Sequence, residues 1–182
     1  MRKFFLVGII ALLTACSPAT PPAKEEAPAA AETAGPATLG PEGFGPVHIG
    51  MTLAEAGAAL GRELRPEGLS EDPNACQIYP DSGALYMAQQ GRITRISAME
   101  SVAGHEAVRT AEGVGVGSSD AEVKSAYPNA EEQPAKYNPP PAHDLIVWTV
   151  PNERGIRFEI ADGKVTHVHA GDDSILLVEG CS

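Results

Sequence analysis

Two histidines two residues apart, His167 and His169, precede a pair of carboxylates, Asp172 and Asp173. On a β-strand such histidines project to one face, where two imidazoles and a carboxylate could hold a divalent metal. The same pattern also describes a solvent-facing strand edge in an acidic protein, since no third histidine lies near in sequence. His105-Glu106 and His143-Asp144 sit in loop-like contexts with no identifiable partner. Ser118-Ser119-Asp120 offers hydroxyls beside a carboxylate, but its surroundings explain it better as a helix cap, as the internal repeat makes plain. Gly113, Gly115 and Gly117 precede a helical pattern without the third spaced glycine of a phosphate-binding loop. No catalytic set stands out, so the expectation is a non-enzymatic protein without a cofactor.

The three cysteines divide into one and two. Met1-Arg2-Lys3 is a short positive head, followed by an apolar run from Phe4 to Leu13 and then Thr14-Ala15-Cys16. A helix of that length would reach about 15 Å, half the roughly 30 Å of a hydrocarbon core. Residues 1–15 therefore read as a signal peptide outside the fold. The Leu13-Thr14-Ala15-Cys16 ending resembles the bacterial lipobox, which implies cleavage before Cys16 and lipidation of that residue. Ser17 follows, with no Asp to favour inner-membrane retention, and the resemblance implies a periplasm-facing protein anchored in the outer membrane. Cys76 and Cys181, an even pair in an exported chain, read as one disulfide.

Removing residues 1–15 takes two of the 13 basic residues and leaves 11 against 24 acidic ones, moving the net charge from −11 to −13. Such a balance excludes nucleic acid as a partner and excludes electrostatic docking on an anionic membrane. Acyl chains would supply the membrane attachment instead. From Ser17 to Gly40 the chain is rich in Pro and Ala with no aromatic residue. Such composition cannot bury enough surface to offset ordering entropy. Residues 16–42 are thus expected to be a lipidated tether, and residues 43–182 the body.

The elements that must position any site come as an internal repeat. Val47 to Ala56 aligns with Val114 to Val123 at an offset of 67 residues, and Leu85 to Ile96 aligns with Arg157 to Val168 at an offset of 72. Thr52 with Glu55, and Ser119 with Glu122, have capping-box spacing at the start of a short helix. Gln90-Gly91 and Asp162-Gly163 are tight-turn dipeptides between β-prone runs, which makes each downstream segment a hairpin. In each second hairpin strand the aliphatics stand three apart (Ile93 and Ile96, Val165 and Val168). That spacing implies either a bulge or burial on both faces. Further strands are expected at residues 75–79, 145–150 and 175–178. The expected class is α+β: two tandem β-α-β-β-β modules, 43–111 and 112–182, in one mostly antiparallel sheet. Short helices would cover one face and leave much of the other open.

The Gly50-Met51-Thr52-x-x-Glu55 start, followed by Ala59-Leu60-Gly61 and repeated after a hairpin, resembles the β-lactamase-inhibitor-protein-like fold. That fold includes the small lipoprotein subunit of the outer-membrane β-barrel assembly machine. The likeness covers roughly residues 45–61, 84–97, 112–128 and 155–169, and it transfers no functional residue. Two modules, a longer tether and one disulfide depart from the known members. The ending Val178-Glu179-Gly180-Cys181-Ser182 is similar to that of two-repeat lipoproteins of Gram-negative bacteria. The resemblance implies a lipid-anchored envelope protein that binds another envelope protein, as an inhibitor or as an assembly accessory. Tyr137, in the Pro-rich stretch peculiar to the second repeat, and Trp148 are the aromatic candidates for that contact. The alternative is a metal-binding protein or metal-dependent enzyme using His167, His169 and Asp172.

Overall fold

A computed structural model of the chain describes residues 37–181 apart from Leu69, Glu71, Pro73, Ser82 and Asn152. The expected signal peptide, the expected lipidation site Cys16 and most of the expected tether fall outside the described residues. Strands β1 (Leu39–Gly40), β2 (Gly43–Phe44) and β3 (Val47–His48) form a small antiparallel sheet. Helix α1 (Leu53–Leu60) follows, then β4 (Gln77–Asp81), β5 (Ala84–Gln89) and β6 (Arg92–Met99). The second half supplies α2 (Asp120–Ala126), β7 (Glu131–Pro134), β8 (His143–Val150), β9 (Arg154–Ala161) and β10 (Lys164–Gly171). The architecture is α+β, with every pairing between strands of the main sheet antiparallel. Two differences from the expected order appear. Leu39, assigned to the tether, is buried in the core at 1% exposure, its amide bonded to the Arg109 carbonyl. The second half opens on an extended segment, with isolated bridges from Gly115 to Arg109 and from Ser119 to Lys164, and carries four strands after its helix.

Both helices start as their sequences dictate. Thr52 accepts from the Glu55 amide while the Glu55 carboxylate accepts from the Thr52 amide, and Ser119 and Glu122 repeat that exchange. Gly61, in the left-handed region, ends α1, whereas α2 stops at Tyr127, before Pro128, whose ring disfavours helix in the preceding residue. Hairpins β5–β6 and β9–β10 turn through Gln90-Gly91 and Asp162-Gly163, with positive φ at both residues of each pair, as a type I′ turn requires.

The aliphatics three apart are reconciled by a bulge. Pairing of β5 with β6 slips between Met87 and Ala88, leaving Thr94 extra, and pairing of β9 with β10 slips so that Thr166 is extra. Each threonine hydroxyl donates across the bulge, Thr94 to the Met87 carbonyl and Thr166 to the Glu159 carbonyl. The added residue returns Ile93 and Ile96, and Val165 and Val168, to one face, where all four are 0–1% exposed. The helix starts dock alike on the hairpins: Gly50 donates to Ile93 and Gly117 to Val165.

The main sheet runs β4-β5-β6-β10-β9-β8-β7, so the last strand of one half pairs with the last strand of the other. In that seam Arg95 lies opposite Gly171, Ser97 opposite His169 and Met99 opposite His167. At the 72-residue offset Ser97 corresponds to His169, so the pairing is centred on equivalent residues. Val123, Ile93, Ile96, Phe158, Val165 and Val168 pack the apolar face.

The opposite face is not open. Beyond β10 the expected strand at 175–178 is replaced by a 3-10 turn over Asp173–Leu176, because Asp172 caps the Ser174 amide and Ile175 is driven to 0% exposure. The chain then runs over the sheet to Cys181, which is bonded to Cys76 with Cα atoms 5.2 Å apart. This C-terminal strap closes a loop of 105 residues, worth up to about 4–5 kcal/mol in the chain-entropy model. Reducing the bond is expected to lower the denaturant midpoint clearly. An unchanged midpoint after verified reduction would contradict the strap's role.

Candidate functional site

Alternation along β6, β8, β9 and β10 sends aliphatics to the apolar face and the intervening residues under the strap. Many of those residues are polar: Arg95 and Ser97 from β6, Asp144 from β8, Arg157 and Glu159 from β9, His167 and His169 from β10. Five of them are buried, Arg157 at 2% exposure and Arg95 at 5%. Burying ions is costly unless they are paired and hydrogen-bonded.

Arg157 satisfies that demand. Its Nε donates to Asp144 at 3.0 Å, its Nη2 to Glu159 at 2.7 Å and its Nη1 to the Ile175 carbonyl at 3.0 Å. Next to it runs a chain of side chains. Ser97 Oγ lies 2.8 Å from His169 Nδ1, and His169 Nε2 lies 3.2 Å from Glu159 Oε1. An ionised Glu159 can only accept, so Nε2 carries the imidazole proton, Nδ1 accepts, and Ser97 donates. His167 also reaches Glu159, at 3.3 Å.

Serine, histidine and a carboxylate in series suggest a nucleophile, but the electrostatics oppose it. Burial first, then the charges of Arg95 and Arg157, push the His169 imidazole down to about 4 despite the Glu159 hydrogen bond. Burial raises the Glu159 carboxyl, yet the hydrogen bond from His169 and the neighbouring positive charges outweigh it and hold the group at about 2. A base that weak takes a serine proton poorly at neutral pH. The arrangement instead ties three strands together.

The alternative metal reading needs His167 and His169 to converge with Asp172. His167 and His169 do share a face, with ring centroids 6.0 Å apart, but both turn to Glu159. Asp172 is occupied as the cap of the 3-10 turn. Among the described residues no three His, Cys, Asp or Glu side chains are placed to hold a metal ion.

Tyr137 is exposed at 60%, with its hydroxyl donating to Glu179 of the strap. Trp148 is half-buried on the strap side, its ring over Gly155. Neither contributes to the polar layer. His143 bonds Asp120 at 3.2 Å, and His105 accepts from the Met99 amide within the fold. A separate apolar groove of about 700 Å³ runs between α1, the segment after it and β4, lined by Leu53, Ala54, Ala58, Leu64, Pro66 and Tyr79. The sequence reading missed Arg95, Ser97, Asp144, Arg157 and Glu159. Their signal was the run of polar residues alternating with aliphatics in strands that also had to bury their second face. No known protein family, curated protein or solved structure matches the chain.

Acid should loosen this layer. The unfolded imidazole of His169 protonates near its ordinary 6.5, the folded one only near 4. Between those values the unfolded state binds more protons, so stability rises with pH and is lost as pH falls. Glu159 adds stability that is present above its ordinary 4.5 and is lost toward pH 2. Denaturant unfolding at pH 7, 6 and 5 should give a slope steeper for the wild type than for His169→Gln, by at most about 1.4 kcal/mol per pH unit. Equal slopes would contradict a neutral, buried His169.

Proposed function

We propose that this chain is a lipid-anchored envelope protein, held in the outer membrane through Cys16, that binds another envelope protein without catalysing a reaction. The finer fold reading belongs to the same proposal: two tandem β-α-β-β-β modules of the β-lactamase-inhibitor-protein-like kind, with the second departing by an extra edge strand. The observation that carries the binding role is the groove beside α1. Its walls are mainly apolar, with Arg62, Glu63 and Ser70 among the lining. It lies next to an end strand of the main sheet, and Gln77 in its lining holds a buried Oε1 with no partner. A buried amide oxygen left unpaired costs about 1–3 kcal/mol, and a backbone N–H of an inserted segment would satisfy it. The occupant that fits is an extended, apolar stretch of a partner protein, carrying basic residues to match the acidic chain. The weak base at His169 supports the non-enzymatic reading.

A photo-crosslinking residue placed in cells at exposed Ala58 should give one discrete adduct with a single envelope protein. The same residue at exposed Ala121 on α2 should not. No adduct at position 58, or the same adducts at both positions, would remove the groove as the binding surface. The anchor has its own test: Cys16→Ser should move the processed protein from the membrane fraction to the soluble fraction. Continued partition with membranes would contradict lipidation.

A further inference from the structure

Arg95 is the buried cation of the polar layer that has no direct salt bridge among the described residues, although Glu159 and Asp172 act on it from a distance. Its Nη1 donates to the Ser174 and Leu177 carbonyls at 3.1 and 2.6 Å. No carboxylate forms a salt bridge with it among the described residues, although the adjacent Arg157 takes two. Its Nε–H is buried with no partner. Burial and the repulsion of Arg157, only partly offset by Glu159 and Asp172, pull the guanidinium down to about 10, which leaves it charged at neutral pH. Guanidinium matches a carboxylate with paired N–H donors, and an unpaired one this buried is an incomplete site.

The space for a ligand adjoins it. A cleft of about 270 Å³ lies between the sheet and the strap, on the opposite face of β4 from the apolar groove, with Arg95, Ser97, Glu159, His167 and His169 among its lining. Ile78, Leu85, Met99 and Val178 give it apolar walls. Glu67 and Glu179, both exposed, stand at its rim. The strap approaches Arg95 through Gly180, where φ is +65° and a Cβ would come within 2.9 Å of Nη2.

We propose that this cleft binds a small zwitterion, an amino acid with an apolar side chain. Its carboxylate reaches Arg95, its side chain lies against the apolar walls, and its ammonium meets the rim carboxylates. A simple anion would meet repulsion from Glu67 and Glu179, and a simple cation would leave Arg95 unpaired. The volume equals that of about nine waters, close to the nine heavy atoms of leucine. The site is independent of the protein-binding groove.

The test is a titration of the full mature domain with L-leucine, followed by ¹⁵N–¹H spectra that include the arginine Nε–H resonances. Saturable shifts are expected at Ser97, Met99, Gly180 and the Arg95 Nε–H. Leucinamide, which lacks the carboxylate, and 4-methylpentanoate, which lacks the amine, should each bind at least about tenfold more weakly. Arg95→Gln should abolish the shifts. Because that variant disturbs a buried position, Gly180→Ala is paired with it, crowding Nη2 from the strap without replacing any residue of the sheet. It should weaken binding at least tenfold while the spectrum stays folded. The assignment is overturned if L-leucine gives no saturable shift, if either analogue binds equally well, or if Gly180→Ala binds as the wild type does.

Discussion

Where β6 meets β10, Ser97 lies opposite its own repeat equivalent, His169, and the rest of the molecule follows from that junction. The two halves present matching strands, so antiparallel pairing lets each complete the other's sheet edge. Either half alone would leave that edge unpaired and a core too small for comfort. Joining them this way places Val168, Ala170, Ile96 and Ala98 in one apolar layer on the helix side, each at most 1% exposed. It also places Arg95, Ser97, His167 and His169 together on the other side.

That second face explains the C-terminal strap. Guanidiniums within a sheet need acceptors, and the strap's backbone supplies them: the carbonyls of Ser174, Ile175 and Leu177 accept from Arg95 or Arg157. Ile175 fills the apolar space beside them. The Cys76–Cys181 bond then holds the strap's end near β4. Positive charge under the strap and hydrogen bonding to its carbonyls are thus one device. The Arg95 Nε–H, buried there without a partner, is where the proposed ligand would bind.

Local rules in the sequence read well because local interactions set them. The capping boxes at Thr52 and Ser119, the I′ turns at Gln90-Gly91 and Asp162-Gly163 and the disulfide pair each depend on residue types and spacing. The bulges were legible only as a choice between two readings, since strict alternation failed at Ile93 and Val165. What could not be read was the fate of the second face. The sheet face that carries Arg157, Glu159 and Ser97 was expected to be largely open, because nothing local shows that residues 172–181 return across it. The strand expected at 175–178 failed for the same reason. Ile175 is apolar because it packs from the strap down onto the sheet, near Gly155, while Asp172 caps the 3-10 turn. Asp172 looked like a metal ligand and serves as a cap.

The central claim is that the two halves, sealed along β6 and β10 and clamped by the strap, form one cooperative unit. Native-state hydrogen exchange across a denaturant series tests it most directly. The amides of β5, β6, β9 and β10 should converge on a single opening free energy, equal to that of global unfolding. If β5 and β6 instead opened at a free energy of their own while β9 and β10 stayed protected, the halves would be separate units and the shared polar layer would not hold them together.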